Sequence, residues 1–505
     1  MIGGNNNAIG VIALYNNTAS QNDAFGSAAL NANTTGSDNN AMGFDALIAN
    51  TTGSYNIALG TRTMFSNISG NSNVAVGISS LYSNNSLSNI VAIGDSALFS
   101  LTTGSYNTAV GSKAMLNTVS GGTNNAFGYN AMVSNTTGSG NNAFGYSALG
   151  GLNTGSSNEA FGTSALGSNT SGYQNVAVGD YAMSSNTTGY LNSSIGDGVM
   201  DHNTSGAENA AIGFWALRLN TTGYGNTASG FAAGYGNAAA FYNTADGFEA
   251  LYTNNAGSYN TGDGAFALFT ATGGNNTANG SYSLYATTSG SYNTAVGSYA
   301  MENNTTGSYN VALGYNAYPS SSTALTNYVG LGYNVGYATS ISNSVELGNT
   351  SVTKIWAAVT GITAYSDERV KRNVREDVPG IDFIKRLRPV TYNYDLHAEN
   401  RLLYINKPDT VVWPGKYDIE NITQSGFIAQ EVEKSANEIG YDFNGLSKPA
   451  TANGLYGLNY TNFVVPLVKS VQELNKQNEE MLKRIEDQQK TIQQLMLEVE
   501  KLKAK

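Results

Sequence analysis

The sequence predicts a mainly β protein in which about twenty short repeats stack as a parallel β-solenoid, followed by a small α+β domain and a coiled-coil helix. Three observations lead to this fold class. Glycines recur at a fixed spacing, the composition changes near residue 345, and apolar residues near the end follow a heptad pattern. With 59 Gly, 7 Pro and 12% charged residues, the chain is unlike an ordinary helical or doubly wound enzyme. The absence of Cys excludes a disulfide scaffold, a thiolate metal site and a cysteine nucleophile.

The repeat is defined by a glycine every seventeen residues. Altered steps extend the series back to Gly10 and forward through Gly280, Gly297, Gly314, Gly332 and Gly348, which makes about twenty-one copies. A short fixed period of this kind indicates a solenoid. The regularly spaced glycines are residues 26, 43, 60, 77, 94, 111, 128, 145, 162, 179, 196, 213, 230, 247 and 264.

Each copy reads as one rung. An Asn-x-Ala-x-Gly segment, such as 56–60, alternates with period two like a strand. A second apolar pair, such as Ala46-Leu47, suggests another short strand, and a turn such as 50–53 follows, with a Gly that can adopt positive φ. Two strands and a turn per copy would stack at about 4.8 Å per rung into a rod of roughly 100 Å.

The interior of such a rung is thin. We expect its core to be the large residue before each Gly together with the Leu or Met four residues after it, and we expect Ala and Gly to permit close backbone approach. A thin core with a small-residue face predicts that several chains pack together. The Asn-x-Ala-x-Gly repeat resembles the head repeats of YadA-type trimeric autotransporter adhesins, which implies a trimeric β-roll.

One stretch interrupts the repeat. The residue before the glycine becomes Ser229, Asp246, Asp263 and Asn279 in four successive rungs. Stacked carboxylates repel each other. One interpretation is a cation or a column of water inside the rod, held by Asp246 and Asp263; the other is that these rungs turn the position outward. Apart from this speculative site, no metal or cofactor is expected.

A set of tyrosines shares one place in the repeat and could form an exposed aromatic ladder. Such a ladder could stack on sugars, or it could simply cover and stiffen the rod. The set comprises Tyr55, Tyr106, Tyr259, Tyr292 and Tyr309.

Charge and hydropathy exclude several partners. Residues 1–345 hold 13 acidic and 3 basic side chains, and the net charge of -11 argues against binding to nucleic acid or anionic membranes. No run of eighteen apolar residues exists, and residues 1–5 resemble neither a signal peptide nor an anchor, so we expect no membrane insertion. The chain begins inside a repeat, which leaves open whether it is a fragment of a longer protein.

The last 140 residues closely resemble the peptidase S74 family, the intramolecular chaperone domains that end phage tail fibres and tailspikes. In that family a serine and a lysine five residues later form a catalytic dyad, and the chain is cut just before the serine. The resemblance implies that Ser366 is the nucleophile, that Lys371 is its general base, and that the cleaved bond joins Tyr365 to Ser366. It rests on the segments 366–374 (SDERVKRNV), 381–392 (IDFIKRLRPVTY), 426–432 (GFIAQEV) and 456–460 (YGLNY).

The chemistry of the dyad is coherent. A serine hydroxyl needs a neighbouring base to become a good nucleophile, and lysine can serve only when neutral, which requires a pKa well below about 10.4. Burial on assembly and the nearby Arg369 and Arg372 would favour the neutral amine.

Five residues span about 500° of helix, so the two side chains cannot share a helical face; a turn with Asp367 as N-cap would bring them together. Without the resemblance, an ordinary surface Ser and Lys is the simpler interpretation. Asp367 and Asn373 also match the motif and would support the turn.

The tail predicts a coiled coil because seam residues alternate steps of four and three. Val or Ile at one seam position with Leu at the other usually favours dimers, whereas the resemblance and the rod imply trimers. Asn478 and Gln488 would then set the register. The seam comprises Leu467, Val471, Leu474, Asn478, Met481, Ile485, Gln488, Ile492, Leu495, Val499 and Leu502.

These parts predict four regions: a repeat rod over 1–318, terminal rungs and a connector over 319–365, a chaperone and autoprotease domain over 366–465, and a coiled-coil helix over 466–505. The main hypothesis is a homotrimeric tail fibre or tailspike of a virion that binds a host-cell receptor or glycan and cuts itself once. The alternative is a bacterial trimeric surface adhesin with the same C-terminal module. A glycan-degrading rod is disfavoured because the repeats show no convergent acid pair.

Overall fold

The computed structural model describes residues 4–151, 153–319, 323–336, 341–349, 351–352, 366–403, 417–449 and 454–504. Twenty-one strands, β1 to β21, lie in the repeat region, one for each predicted copy. Each pairs in parallel with the next along the chain, as in Asn40↔Ile57 and Ile57↔Val74, so the stack is a parallel β-solenoid. The strands are Asn7–Ile9, Asp23–Phe25, Asn40–Met42, Ile57–Leu59, Val74–Val76, Val91–Ile93, Thr108–Val110, Asn125–Phe127, Asn142–Phe144, Glu159–Phe161, Val176–Val178, Ser193–Ile195, Ala210–Ile212, Thr227–Ser229, Thr244–Asp246, Thr261–Asp263, Thr277–Asn279, Thr294–Val296, Val311–Leu313, Tyr328–Leu331 and Ser344–Leu347.

The core of each rung is only partly the predicted one. The Leu or Met four residues after the glycine is fully buried, as Leu47 and Met115 are, and this expectation is confirmed. The large residue before the glycine points outward instead: Met42 is 53% exposed and Ile212 is 55% exposed. The Ala in the middle of most strands, such as Ala41, fills the interior. The physical reason is space, because a narrow rung accommodates one large side chain and an Ala but not two large side chains.

The expected second strand of each repeat is absent from the described rungs. Around Ala46-Leu47 the backbone turns repeatedly, with φ of 58° at Asp45 and 50° at Leu47, which no strand contains. Hydrogen bonds still join neighbouring rungs there, for example from Leu47 N to Thr63 O at 3.0 Å. The turns curl the chain around the buried Leu or Met, and each described rung therefore contains a single strand of three or four residues.

Two internal asparagine ladders replace much of the missing apolar core. The first consists of the Asn just before most strands, and the second of the Asn that opens most turns. In the first ladder Asn192 Nδ2 donates to Asn175 Oδ1 at 3.1 Å and to Gly206 O at 2.8 Å, while Asn192 Oδ1 accepts from Asn209 N at 3.1 Å. These side chains are buried, and neighbouring rungs satisfy most of their polar atoms; among the described ladder residues, Asn153 Nδ2 and Asn254 Oδ1 are buried without a hydrogen-bond partner. The rungs are thus held together by side-chain amides as well as by the backbone.

The C-terminal unit is a small α+β domain with a long helix, as predicted. Its helices are α1 (Ile381–Ile384), α2 (Leu396–Leu403), α3 (Ala429–Glu438) and α4 (Val464–Lys503). Strand β22 (Val390–Tyr392) pairs antiparallel with β23 (Gln424–Gly426), and β24 (Leu446–Ser447) pairs antiparallel with β25 (Gly457–Leu458). Short 3-10 turns lie at Glu368–Val370, Asp418–Asn421 and Tyr460–Phe463. The core of the unit is formed by Phe383, Val432, Ala436, Phe443 and Phe463.

The beginning of α4 packs on this domain and the rest does not. Helix α1 contacts α4, and the carboxylate of Glu473 accepts a hydrogen bond from Ile381 N at 2.8 Å. Beyond Leu474 every described residue of α4 is exposed, including the apolar seam. The predicted helix is confirmed, and its seam is unpartnered in the single chain. No helix among the described residues has both the length and the apolar character needed to cross a membrane.

Candidate functional site

The C-terminal domain opens with a tight turn that positions the two candidate catalytic side chains. Asp367 caps the 3-10 turn Glu368–Val370, since its Oδ1 accepts from Arg369 N at 2.9 Å. The turn closes with Lys371 N donating to Glu368 O at 3.1 Å. The predicted N-cap is therefore present. A 3-10 turn advances three residues per turn, which reverses the chain quickly enough to bring residues 366 and 371 together.

The resulting geometry joins the dyad directly. Lys371 Nζ lies 2.7 Å from Ser366 Oγ, the distance of a strong hydrogen bond. A nucleophile within hydrogen-bond reach of a base is the arrangement that nucleophilic catalysis requires. Tyr365, the residue before the expected cleavage point, lies outside the described residues.

Asp367 does more than cap the turn. Its carboxylate forms a two-pronged ion pair with the guanidinium of Arg369, with Nη2 to Oδ2 at 2.6 Å and Nε to Oδ1 at 3.0 Å. The Arg369 side chain holds the pKa of Asp367 below its usual value. Arg369 was expected to disfavour a protonated Lys371, but its charge is instead offset by Asp367. Asn373, the other motif residue, has a φ of 55°, a left-handed conformation that Asn tolerates better than most residues.

The site is open to water in the single chain. Every residue from Ser366 to Asp377 is exposed, including both members of the dyad. The single chain therefore does not provide the burial that would favour a neutral lysine. The turn supplies the geometry of the candidate dyad, and residues 366–377 alone do not shield it from water.

The interrupted stretch of the solenoid lies on the outer surface. Asp246 and Asp263 are register partners in β15 and β16, both are exposed, and Asn279 Nδ2 donates to Asp263 Oδ2 at 3.1 Å. The position before the glycine points outward in the interrupted strands and in their neighbours alike. Asp246 and Asp263 therefore do not hold a cation or a column of water inside the rung. Their side chains point outward, as the second interpretation states, and the strands do not have to turn over for this because the same position points outward in the neighbouring rungs.

The tyrosine set forms a ladder only in part. Tyr292 and Tyr309 stack with ring centroids 5.1 Å apart and planes 3° apart, so each covers a face of the other. Sugars stack on open ring faces, and this stack covers one face of each of the two rings. Tyr55 and Tyr106 are three rungs apart and are exposed singly. The stacked pair agrees with covering and stiffening of the rod, and sugar binding by the set stays a prediction.

Some features of the site region were missed from the sequence. The sequence pattern assigns no role to His397, and in the structure its Nδ1 lies 3.1 Å from Glu420 Oε1, with Asp395 close by. These carboxylates already accept backbone hydrogen bonds, from Ala398 N at 2.7 Å to Asp395 and from Leu396 N at 2.8 Å to Glu420. Only the tertiary fold could reveal this cluster, since Glu420 lies 23 positions after His397 in the sequence. The two carboxylates of this cluster cap the beginning of α2.

Comparison with known proteins supports the C-terminal resemblance. Residues 366–441 match the family model Peptidase_S74, described as chaperone of endosialidase, and the match starts at Ser366 itself. Searches of curated proteins and of solved structures find no match for the chain. The turn, the dyad and the domain core around Phe383 and Val432 all lie inside the matched segment.

Proposed function

We propose that this chain forms a homotrimeric fibre of the phage tail fibre or tailspike kind, which binds a host-cell receptor or glycan, and whose C-terminal domain directs assembly and then cuts itself away between Tyr365 and Ser366. The observation that carries this proposal is the 2.7 Å contact between Lys371 Nζ and Ser366 Oγ at the first residue of the family match. The family's description as a chaperone supports the assembly role.

The proposed chemistry is one acyl transfer followed by hydrolysis. The neutral amine of Lys371 takes the proton from the Ser366 hydroxyl while Oγ bonds to the carbonyl carbon of Tyr365. The bond between that carbon and the Ser366 nitrogen then breaks, and the nitrogen takes up the proton. Water hydrolyses the ester, which leaves a new carboxylate at Tyr365 and restores the hydroxyl. The step is compatible with attack on the same chain or on a neighbour, and each chain reacts once.

Assembly explains the link between the two halves of the chain. The solenoid exposes an apolar column along its strands and α4 exposes an apolar seam, and both remain uncovered in one chain. Three chains aligned first by α4 would bring their solenoids together in register. Cleavage after assembly would remove the aligning domain and leave a product that is trapped kinetically.

A second candidate is a bacterial trimeric surface adhesin with the same C-terminal module. The Asn-x-Ala-x-Gly repeats favour it, because they resemble adhesin head repeats. A membrane anchor encoded in the full gene would support this alternative, and a virion structural gene beside it would support the fibre.

Denaturing electrophoresis of the purified chain tests the autoprotease. We expect fragments of about 365 and about 140 residues for the unaltered chain and one full-length band for Ser366→Ala. Lys371→Arg should also remain uncut, since a guanidinium stays protonated and cannot act as a base. Lys385→Arg is the matched control, because Lys385 is an exposed lysine of the same domain that pairs with Asp382. Full cleavage of Ser366→Ala, or an uncut chain under folding conditions, would refute the claim.

A further inference from the structure

The starting point is the outward column, defined as the residue before each repeat glycine, from Ile9 to Leu347. In all but four rungs it is aliphatic, Phe or Met. Over twenty-one strands it spans about 100 Å by about 10 Å, or about 1,000 Å², which exceeds the roughly 800 Å² per partner of a stable interface. The spacing between its rungs equals the spacing between the rungs of the same column in another copy of the chain. The occupant that fits a column of this length and period is a second copy of this chain.

The four exceptions are contiguous and form a polar block. They are Ser229, Asp246, Asp263 and Asn279, in β14 to β17, and the last three are exposed. Thirteen apolar positions precede the block and four follow it. The block therefore marks one place on a surface whose other rungs are nearly interchangeable.

We propose that the polar block sets the register between copies of the solenoid. When two chains are aligned, polar layers meet polar layers, and only four rungs lose apolar contact. After a slip of one rung, five layers contain at least one residue of the polar block, and after a slip of four rungs eight layers do. Each added layer buries a carboxylate, an amide or a hydroxyl that has no hydrogen-bond partner, because it faces an apolar side chain. Each such layer lowers the population of the slipped form about tenfold or more.

This inference rests on the proposed trimer and deepens it. In register, the carboxylates of Asp246 and Asp263 share a hydrated section with Asn279, whose Nδ2 already donates to Asp263. The role resembles that of a single buried Asn in a coiled-coil seam, which selects one alignment at some cost in stability. The helix α4 would start the alignment of the chains. The polar block would then destabilise any solenoids that still pair out of register.

Cross-linking between cysteine probes tests the register, with no background because the chain has no Cys. Chains carrying Val76→Cys and chains carrying Ile93→Cys, neighbours in β5 and β6, are co-expressed with different tags and treated with a short bismaleimide. We expect 76–76 and 93–93 products. The fourfold variant Ser229→Val, Asp246→Val, Asp263→Val and Asn279→Val should raise the slipped 76–93 product about tenfold or more.

The matched control places the same four valines one column away, at Thr227, Thr244, Thr261 and Thr277, which are exposed in the same strands. It keeps the polar block and should give no more 76–93 product than the parent. A trimer in which the fourfold variant stays in register would overturn the inference and leave the trimer intact. A trimer without any 76–76 product would overturn it as well, because the column would not be the interface. A monomer by sedimentation would instead defeat the proposed function.

Discussion

At the scale of single residues, the solenoid depends on side chains that a propensity argument assigns to turns. The buried asparagines bond rung to rung, and their amides complete hydrogen bonds that a core of three-residue strands cannot supply. The one described rung that lacks Asn at both ladder positions uses Ile90 and Leu101, both fully buried. Single replacements also occur, as at the buried Ala271 in the rung that keeps Asn260.

Replacing one ladder residue should therefore destabilise the rod. Asn192→Ala leaves Gly206 O and Asn209 N without the partners that Asn192 provides, and we expect a loss of about 1–3 kcal/mol per chain. A lower unfolding temperature of the assembled rod would report this loss. The control is Thr188→Ala, at an exposed position one rung earlier in the chain. Equal unfolding temperatures for both variants would contradict the role given to the ladder.

At the scale of elements, α4 is the part of the chain to which we assign the proposed alignment. Three residues next to the seam, Val468, Leu482 and Met496, are apolar and at least half exposed. They widen the apolar face beyond the two seam positions of a simple dimer, and a wider face suits more than two strands. This favours the trimer over the dimer that the β-branched seam residues suggested.

A charge in the seam should disrupt both assembly and cleavage. Ile492→Asp would place three carboxylates together inside the coiled coil, at a cost of several kcal/mol. We expect a shift from trimer to monomer in sedimentation and a parallel loss of the cut fragments. Gln493→Asp adds the same charge one residue away, off the seam, and should behave like the parent. Normal cleavage by a monomeric Ile492→Asp chain would separate cleavage from assembly.

The turn at Ser366 is the other element whose form the motif implied. Ser366, Asp367 and Lys371 could be singled out from the sequence, and the structure brings them together. The ion pair between Asp367 and Arg369 could not, because side-chain pairing within a turn depends on rotamers that spacing does not specify.

At the scale of the whole molecule, removal of the C-terminal domain should make folding a one-way process. We expect the cleaved trimer, once denatured by heat, to fail to recover its β circular dichroism and its trimeric sedimentation on cooling. The uncut Ser366→Ala chain retains α4 and should recover both. The physical reason is that near-identical rungs pair out of register when nothing aligns them. Full recovery of the cleaved rod would show that the domain is not needed for assembly.

The sequence by itself determined the number and the spacing of the rungs, the change to an α+β domain, the helix at the end, and the positions of Ser366 and Lys371. Periodicity and motif spacing carry that information directly. Only the tertiary structure decided which face of each strand is inside, because period-two alternation defines two faces without saying which of them is buried. The narrowness of the rung settled that choice in favour of Ala, and it turned the large residues, with Asp246 and Asp263 among them, toward the surface.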